Sequence, residues 1–414
     1  MSSVVTAEPL VRAPAPAVER VVAPPPPATS DALRPRFAHL DGVRAIAAMS
    51  VLVYHVGLKS SAVTSAAYGN VLSRLNVAVP IFFVLSGFLL YRPFVAARLA
   101  GLPAPSVRGY AIGRALRILP AYWIALVLCI FIPVLADALP DAAAARGPHW
   151  WHYFGLVEVY WPGNALGGLP HAWTLACEMA FYVLLPLLAI AAGRRLGDGE
   201  RRLRGELVLL ALATVVAAVL RHLAIFGGDP SYASVPEMPI GTLPYFLTGT
   251  LLATWTVVRP GARLLRTLGR RGDGIVLALV VALVAVSVAG ILKRQTDLVT
   301  PAPWTLEFLF NGVVAGLVVA TAIALPHDAR SAWARLLRLP VVRGLGAISL
   351  GIYLWHFPVL FALTDHGAAT WLGGDARFLA LLLPTVALSV LLGLASYRFV
   401  ERPLLRWRRA RLHA

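Results

Sequence analysis

Residues 40–57 read LDGVRAIAAMSVLVYHVG, and this stretch decides the class of the fold. It is almost wholly apolar and close to the ~20 residues that a helix needs to cross the hydrocarbon core of a bilayer. Nine comparable blocks follow, at about 76–92, 112–136, 171–193, 207–226, 241–258, 275–292, 305–326, 347–364 and 377–400. The pattern predicts an all-α, polytopic membrane bundle of about ten transmembrane helices, an even number that puts both termini on one side.

Composition agrees with that reading. The 414 residues are 58% hydrophobic and 14% charged, with a mean hydropathy of +0.73. A soluble globular chain is about a quarter charged, and a disordered one is poor in apolar residues, so both classes are excluded. The net charge of +17 does not imply a nucleic-acid partner, because 35 of the 37 cations are arginines and most lie in short segments between blocks. With the N-terminus inside, about 30 cations fall on the inner side and about six outside, so both termini are predicted to be cytoplasmic. The bilayer is thus an expected partner. Cys129 and Cys177 lie inside apolar blocks and offer no disulfide framework or metal-ligand spacing, so no metal is expected.

Three regions follow. Residues 1–36 hold eight of the 31 prolines and read as a disordered, Pro/Ala-rich cytoplasmic tail. Residues 37–400 form the membrane domain, and 401–414 a basic cytoplasmic tail. The aromatic-rich link 137–170 suggests an interfacial helix around Trp150 to Tyr160.

Ionisable groups inside a bilayer are costly, so each is a functional candidate. Arg44 and His55 are eleven residues apart. That spacing makes about 1100° of helical rotation, so both face one way, about 16 Å apart along the axis. Arg114 and Arg117 share a face in the third block and could fork around phosphates, although arginines near a cytoplasmic mouth also serve as topology charges. Glu178 lies in the fourth block behind Trp173 and Thr174, and needs a cation or a hydrogen-bond donor. Ser86-Gly87 reads as a small pair for close helix approach. Tyr353, Trp355 and His356 sit in another apolar helix, with Pro358 positioned to kink it.

Taken together, these segments resemble the acyltransferase-3 family of integral membrane acyltransferases over nearly the whole chain after residue 36. The resemblance rests on Arg44 with His55, Leu85 to Phe88, Arg114 with Arg117, Trp173-Thr174-Leu175 with Glu178, Tyr353 to His356, and Glu401 to Pro403, in the family's order. Thr174 stands where the family usually has Ser. Some relatives carry an extracytoplasmic esterase-like domain after the last span. This sequence ends 14 residues after the tenth block, so any step that such a domain performs is expected to be dispensable or supplied by another protein.

The resemblance implies transfer of an acyl group from acyl-CoA, acetyl-CoA above all, to a hydroxyl of a carbohydrate, glycolipid or glycosylated metabolite in a bacterial cytoplasmic membrane. It also implies that acyl-CoA is a cosubstrate and that no cofactor is bound permanently. His55 would be the general base, with a covalent acyl-histidine as the less favoured variant and His356 the next candidate base. Arg114 and Arg117, with Arg44 deeper, would hold the CoA phosphates, and Glu178 or Asp41 would orient or balance a cation. The alternative is a multispan transporter in which His, Arg and Glu form a proton relay, which the lack of an internal repeat disfavours. Acceptor, acyl length and oligomeric state stay open.

Overall fold

A computed structural model describes residues 37–412, apart from 66–67, 140–141, 162, 196–198, 227–237, 260, 293–300 and 368. The expected tail at 1–36 lies outside the described residues. Among the described residues every regular element is helical. The elements used below are α1 Ala38–Lys59, α2 Ala78–Leu99, α3 Val107–Phe131, α4 Trp173–Arg195 and α5 Gly199–Phe226. They continue as α6 Pro239–Val258, α7 Arg263–Arg270, α8 Gly272–Val288, α9 Pro301–Ala324 and α10 Ala332–Arg338. The last are α11 Pro340–Ala347, α12 Ser349–Asp365, α13 Gly374–Ser396 and α14 Arg402–Leu412.

Among the described residues, seven helices are long and apolar enough to cross a membrane alone, and two bent pairs raise the number to nine. The pairs are α7 with α8, bent by 72°, and α11 with α12, bent by 73°. The block that leaves the number short of ten is the sixth, 241–258, which is the 20-residue helix α6. Its threonines and glycines dilute the apolar character, and Thr242, Thr250, Thr254 and Thr256 are buried in the bundle. In the region of the expected basic tail, a π-helical turn at Tyr397–Glu401 leads into α14, and Arg408 donates to the Gly109 carbonyl of α3 at 3.3 Å.

The centre of the bundle is the crossing of α2 and α6. A Cβ on Gly87 would run into the Phe246 carbonyl oxygen, and one on Gly249 would lie 2.7 Å from the Phe88 nitrogen. Bare backbones therefore meet there, the close approach that small residues permit where lipid gives little hydrophobic drive. Ion pairs inside the bundle are matched within it. Arg98 reaches both Glu206 oxygens at 2.5 and 2.7 Å, and Arg74 pairs with Glu307 at 3.2 Å. The guanidinium of Arg221, a cation inside α5, lies 4.1 Å from the centre of the Phe308 ring.

The link between α3 and α4 folds into a cap in place of one interfacial helix. It has a helical turn at Trp150–Phe154 and a 3-10 turn at Glu158–Tyr160, with His152 stacked on Trp161 at 4.0 Å between ring centres. Glu158, the first residue of that 3-10 turn, is 1% exposed, and neither carboxylate oxygen meets a hydrogen-bond partner among the described residues. Burial pushes its carboxyl up to about 8.

Two outcomes are expected. Gly87→Val should lower the thermal stability of the purified protein by an overpacking penalty of about 1–3 kcal/mol, and an unchanged melting temperature would remove the crossing from the centre of the account. For Glu158 the folded state prefers the neutral acid. Its stabilising contribution is therefore full below the ordinary value of 4.5 and is lost as pH rises through about 8. Glu158→Gln should melt increasingly later than the wild type as pH is raised across that window, whereas parallel curves would show that Glu158 does not titrate in the fold.

Candidate active site

Five helices surround a cavity of about 100 Å³. Arg44 reaches it from α1, Ser86 from α2, Arg114 and Arg117 from α3, Thr174, Glu178 and Tyr182 from α4, and Ser349 and Tyr353 from α12. Positions far apart in sequence thus share one chamber. Local geometry explains several of them. Arg114 and Arg117 are one turn apart, as are Glu178 and Tyr182, so each pair presents one face.

The two carboxylates have different partners. Asp41 pairs with Arg44 at 3.0 Å, one turn before it on the same helix, and does not itself line the chamber. Glu178 accepts a hydrogen bond from Ser86 and another from the Tyr182 hydroxyl at 3.1 Å, while facing the chamber that holds the three arginines. The Ser86-Gly87 pair therefore divides its work. Gly87 makes the close packing, and the Ser86 hydroxyl belongs to the chamber.

His55 and His356 do not line the chamber. They meet each other: His55 Nδ1 lies 2.8 Å from His356 Nε2, with the rings stacked at 5.1 Å between centres. His356 Nδ1 in turn lies 2.7 Å from the Tyr353 carbonyl. A carbonyl only accepts, so the neutral His356 carries its proton on Nδ1 and offers a lone pair at Nε2. His55 must then donate from Nδ1, which leaves the lone pair of His55 Nε2 without a claim from this chain of bonds. His356 is fully buried and His55 half-buried. Such an arrangement suits a base whose tautomer is set by its neighbour.

Tyr353 joins the two parts. Its ring lines the chamber, and its hydroxyl donates to the His171 carbonyl at 2.8 Å and lies 2.6 Å from Thr174 Oγ1. Sequence reasoning left out Tyr182 and His171. Tyr182 carried a usable signal, four residues after Glu178. His171 carried none: its ring packs on Phe357 at 5.2 Å and lies 5.1 Å from that of His356, a contact between distant segments. Among the described residues no group of three or more His, Cys, Asp or Glu side chains is arranged to hold a metal ion.

Glu178→Ala should strip two hydroxyls of their acceptor and leave the arginines of the chamber without its carboxylate. An expected loss of about 1–3 kcal/mol of stability, smaller in Glu178→Gln, would be read by thermal unfolding in detergent. Equal stability of all three proteins would make the contacts of Glu178 incidental.

Residues 37–394 match the model of the family described as an acyltransferase domain, and the chain belongs to that family. YrhL of Bacillus subtilis, whose name gives it as a candidate peptidoglycan O-acetyltransferase, is 27% identical over 88% of this chain and 54% of its own length. The peptidoglycan O-acetyltransferase OatA of Listeria monocytogenes is 24% identical over 88% of this chain and 55% of its own. The O-acetyltransferase OatA of Staphylococcus aureus is 25% identical over 88% and 56%. The chain thus spans little more than half the length of these relatives. No solved structure matches it. Family membership and the apolar helices make this a multi-pass membrane protein of an acyltransferase family, which displaces the transporter alternative.

Proposed function

We propose that the chain transfers an acetyl group from acetyl-CoA to a hydroxyl of a cell-envelope carbohydrate, in a bacterial cytoplasmic membrane with both termini on the cytoplasmic side and α6 as a tenth span. The observation that carries the reading is the single chamber of Arg44, Arg114, Arg117 and Glu178, lined also by Tyr353, whose carbonyl anchors the His55–His356 pair. The names of the relatives support O-acetylation, with peptidoglycan as the class of acceptor. Size favours a short acyl group: a cavity of ~150 Å³ takes a benzene, and this one has about 100 Å³.

In this mechanism the acceptor hydroxyl gives its proton to His55 Nε2 while its oxygen attacks the thioester carbonyl. The carbon–sulfur bond breaks, CoA leaves as the thiolate, and the imidazolium returns the proton to it. The charge that forms on His55 is shared through Nδ1–H with His356. Arg114 and Arg117, with Arg44, hold the phosphate-bearing part of the donor by charge-assisted contacts. Tyr353 lines the chamber and its ring lies 5.5 Å from that of His356, at the junction of donor site and base.

The test is acetyl transfer from labelled acetyl-CoA to glycan fragments by the purified protein in proteoliposomes. His55→Ala should insert and accumulate normally and lose about 10²–10⁴ in rate. Arg114→Ala or Arg117→Ala should raise the Michaelis constant for acetyl-CoA about tenfold if donor binding equilibrates. Wild-type turnover by His55→Ala at equal abundance would remove the base from this position.

A further inference from the structure

A second cavity of about 650 Å³ lies beside the first, within the range of ~300–1,000 Å³ that small-molecule sites occupy. Four arginines line it: Arg92 of α2, Arg266 and Arg270 of α7, and Arg330 of the link between α9 and α10. Among the described residues that line it there is no carboxylate. Asp273, near Arg270 in sequence, is turned instead to the start of α10, where it accepts from the Ala332 and Trp333 nitrogens at 2.9 and 2.8 Å.

A bias of cations toward one side of a membrane accounts for arginines in these segments, but not for their convergence on one concavity from three separate parts of the chain. Arg266 and Arg270 are one turn apart and share a face. Arg92 stacks its guanidinium 5.2 Å from the centre of the Phe37 ring, which also lines the cavity and restricts that side chain. Guanidinium groups are planar forks of donors, matched to phosphate oxygens, and several of them around one space select a ligand with more than one negative charge.

The two cavities are neighbours along two helices. On α2, Leu89 and Leu90 line the first and Arg92 the second. At the start of α1, Phe37 lines the second and Arg44 the first, a separation of about 10 Å at the helical rise.

We propose that the cavity of Arg92, Arg266, Arg270 and Arg330 is a binding site for a phosphate-bearing ligand. Two sources offer that chemistry. One is the phosphorylated adenosine end of the acyl donor, whose pyrophosphate then meets Arg44, Arg114 and Arg117 as the arm enters the first chamber; this assignment rests on the donor reading given above. The other is the headgroup of an anionic phospholipid, which is independent of that reading.

The full chain decides between them by direct binding, with no acyl transfer required, so the result stands apart from the fate of the catalytic proposal. The probes are adenosine 3′,5′-bisphosphate, followed by calorimetry, and phosphatidylglycerol, counted by native mass spectrometry after purification from vesicles that contain it. Arg266, Arg270 and Arg330 are exposed, so their replacement is compatible with folding, and a melting curve verifies it. Loss of one charge-assisted phosphate contact should weaken binding tenfold or more. If Arg266→Gln with Arg270→Gln, or Arg330→Gln, weakens the bisphosphate by that factor, the site takes the nucleotide end of the donor. If those variants instead release the lipid, the site takes a headgroup. Failure of both probes to bind the wild type, or binding of both to the folded variants at wild-type strength, would overturn the proposal.

Discussion

The hydrogen bond from His55 to His356 ties α1 to α12 across three hundred residues of chain. His356 is fully buried and has no water to turn to, so the bond has to be made within the protein. Its direction follows from the Tyr353 carbonyl at the other side of His356. Everything proposed for the site depends on that order of donors and acceptors: it fixes the proton on one nitrogen of His55 and frees the other. The same constraint recurs at Glu178, held by two hydroxyls, and at Glu206, which receives both Arg98 and the Tyr91 hydroxyl.

A second theme is the division between polar groups that are matched and those left facing space. Arg98, Arg74 and Arg221 each find a carboxylate or a ring, and their task is complete within the bundle. Arg114 and Arg117 line a chamber with Glu178, and Arg266, Arg270 and Arg330 line another cavity with no carboxylate on its described walls. Arginine count alone does not separate these groups. Convergence on a concavity does.

Much of this was legible in the sequence because membrane helices announce themselves. Lipid demands long apolar runs, and each of the ten runs corresponds to a helix, although α6 is too rich in Thr and Gly to pass as a span on composition alone. The in-span charges were legible for the same reason, as exceptions to an apolar background. Partnerships were not. Nothing in the order of residues pairs His55 with His356, brings His171 against both His356 and Phe357, or gives Glu178 to Ser86, because those contacts are decided by how helices are rotated in the bundle, whereas Asp41 with Arg44 is an i,i+3 pair on one helix. The cap over residues 150–160 was read as an interfacial helix from its aromatic content. Its rings in fact pack on one another, His152 stacked on Trp161 and Trp151 edge-on to it, a result of the turn between Gly155 and Val157 that breaks the helix.

The central claim, that His356 holds His55 with its proton on Nδ1 and its lone pair on Nε2, is open to nitrogen-15 magnetic resonance of histidine-labelled protein in lipid bilayers at neutral pH. Both rings are expected to be neutral and protonated at Nδ1, with the His55 Nε2 signal in the range of an unprotonated imidazole nitrogen. In His356→Ala the Nδ1 partner is gone, and the His55 signals should shift toward a mixture of tautomers. A wild-type His55 protonated at Nε2, or one unaffected by the loss of His356, would contradict the account.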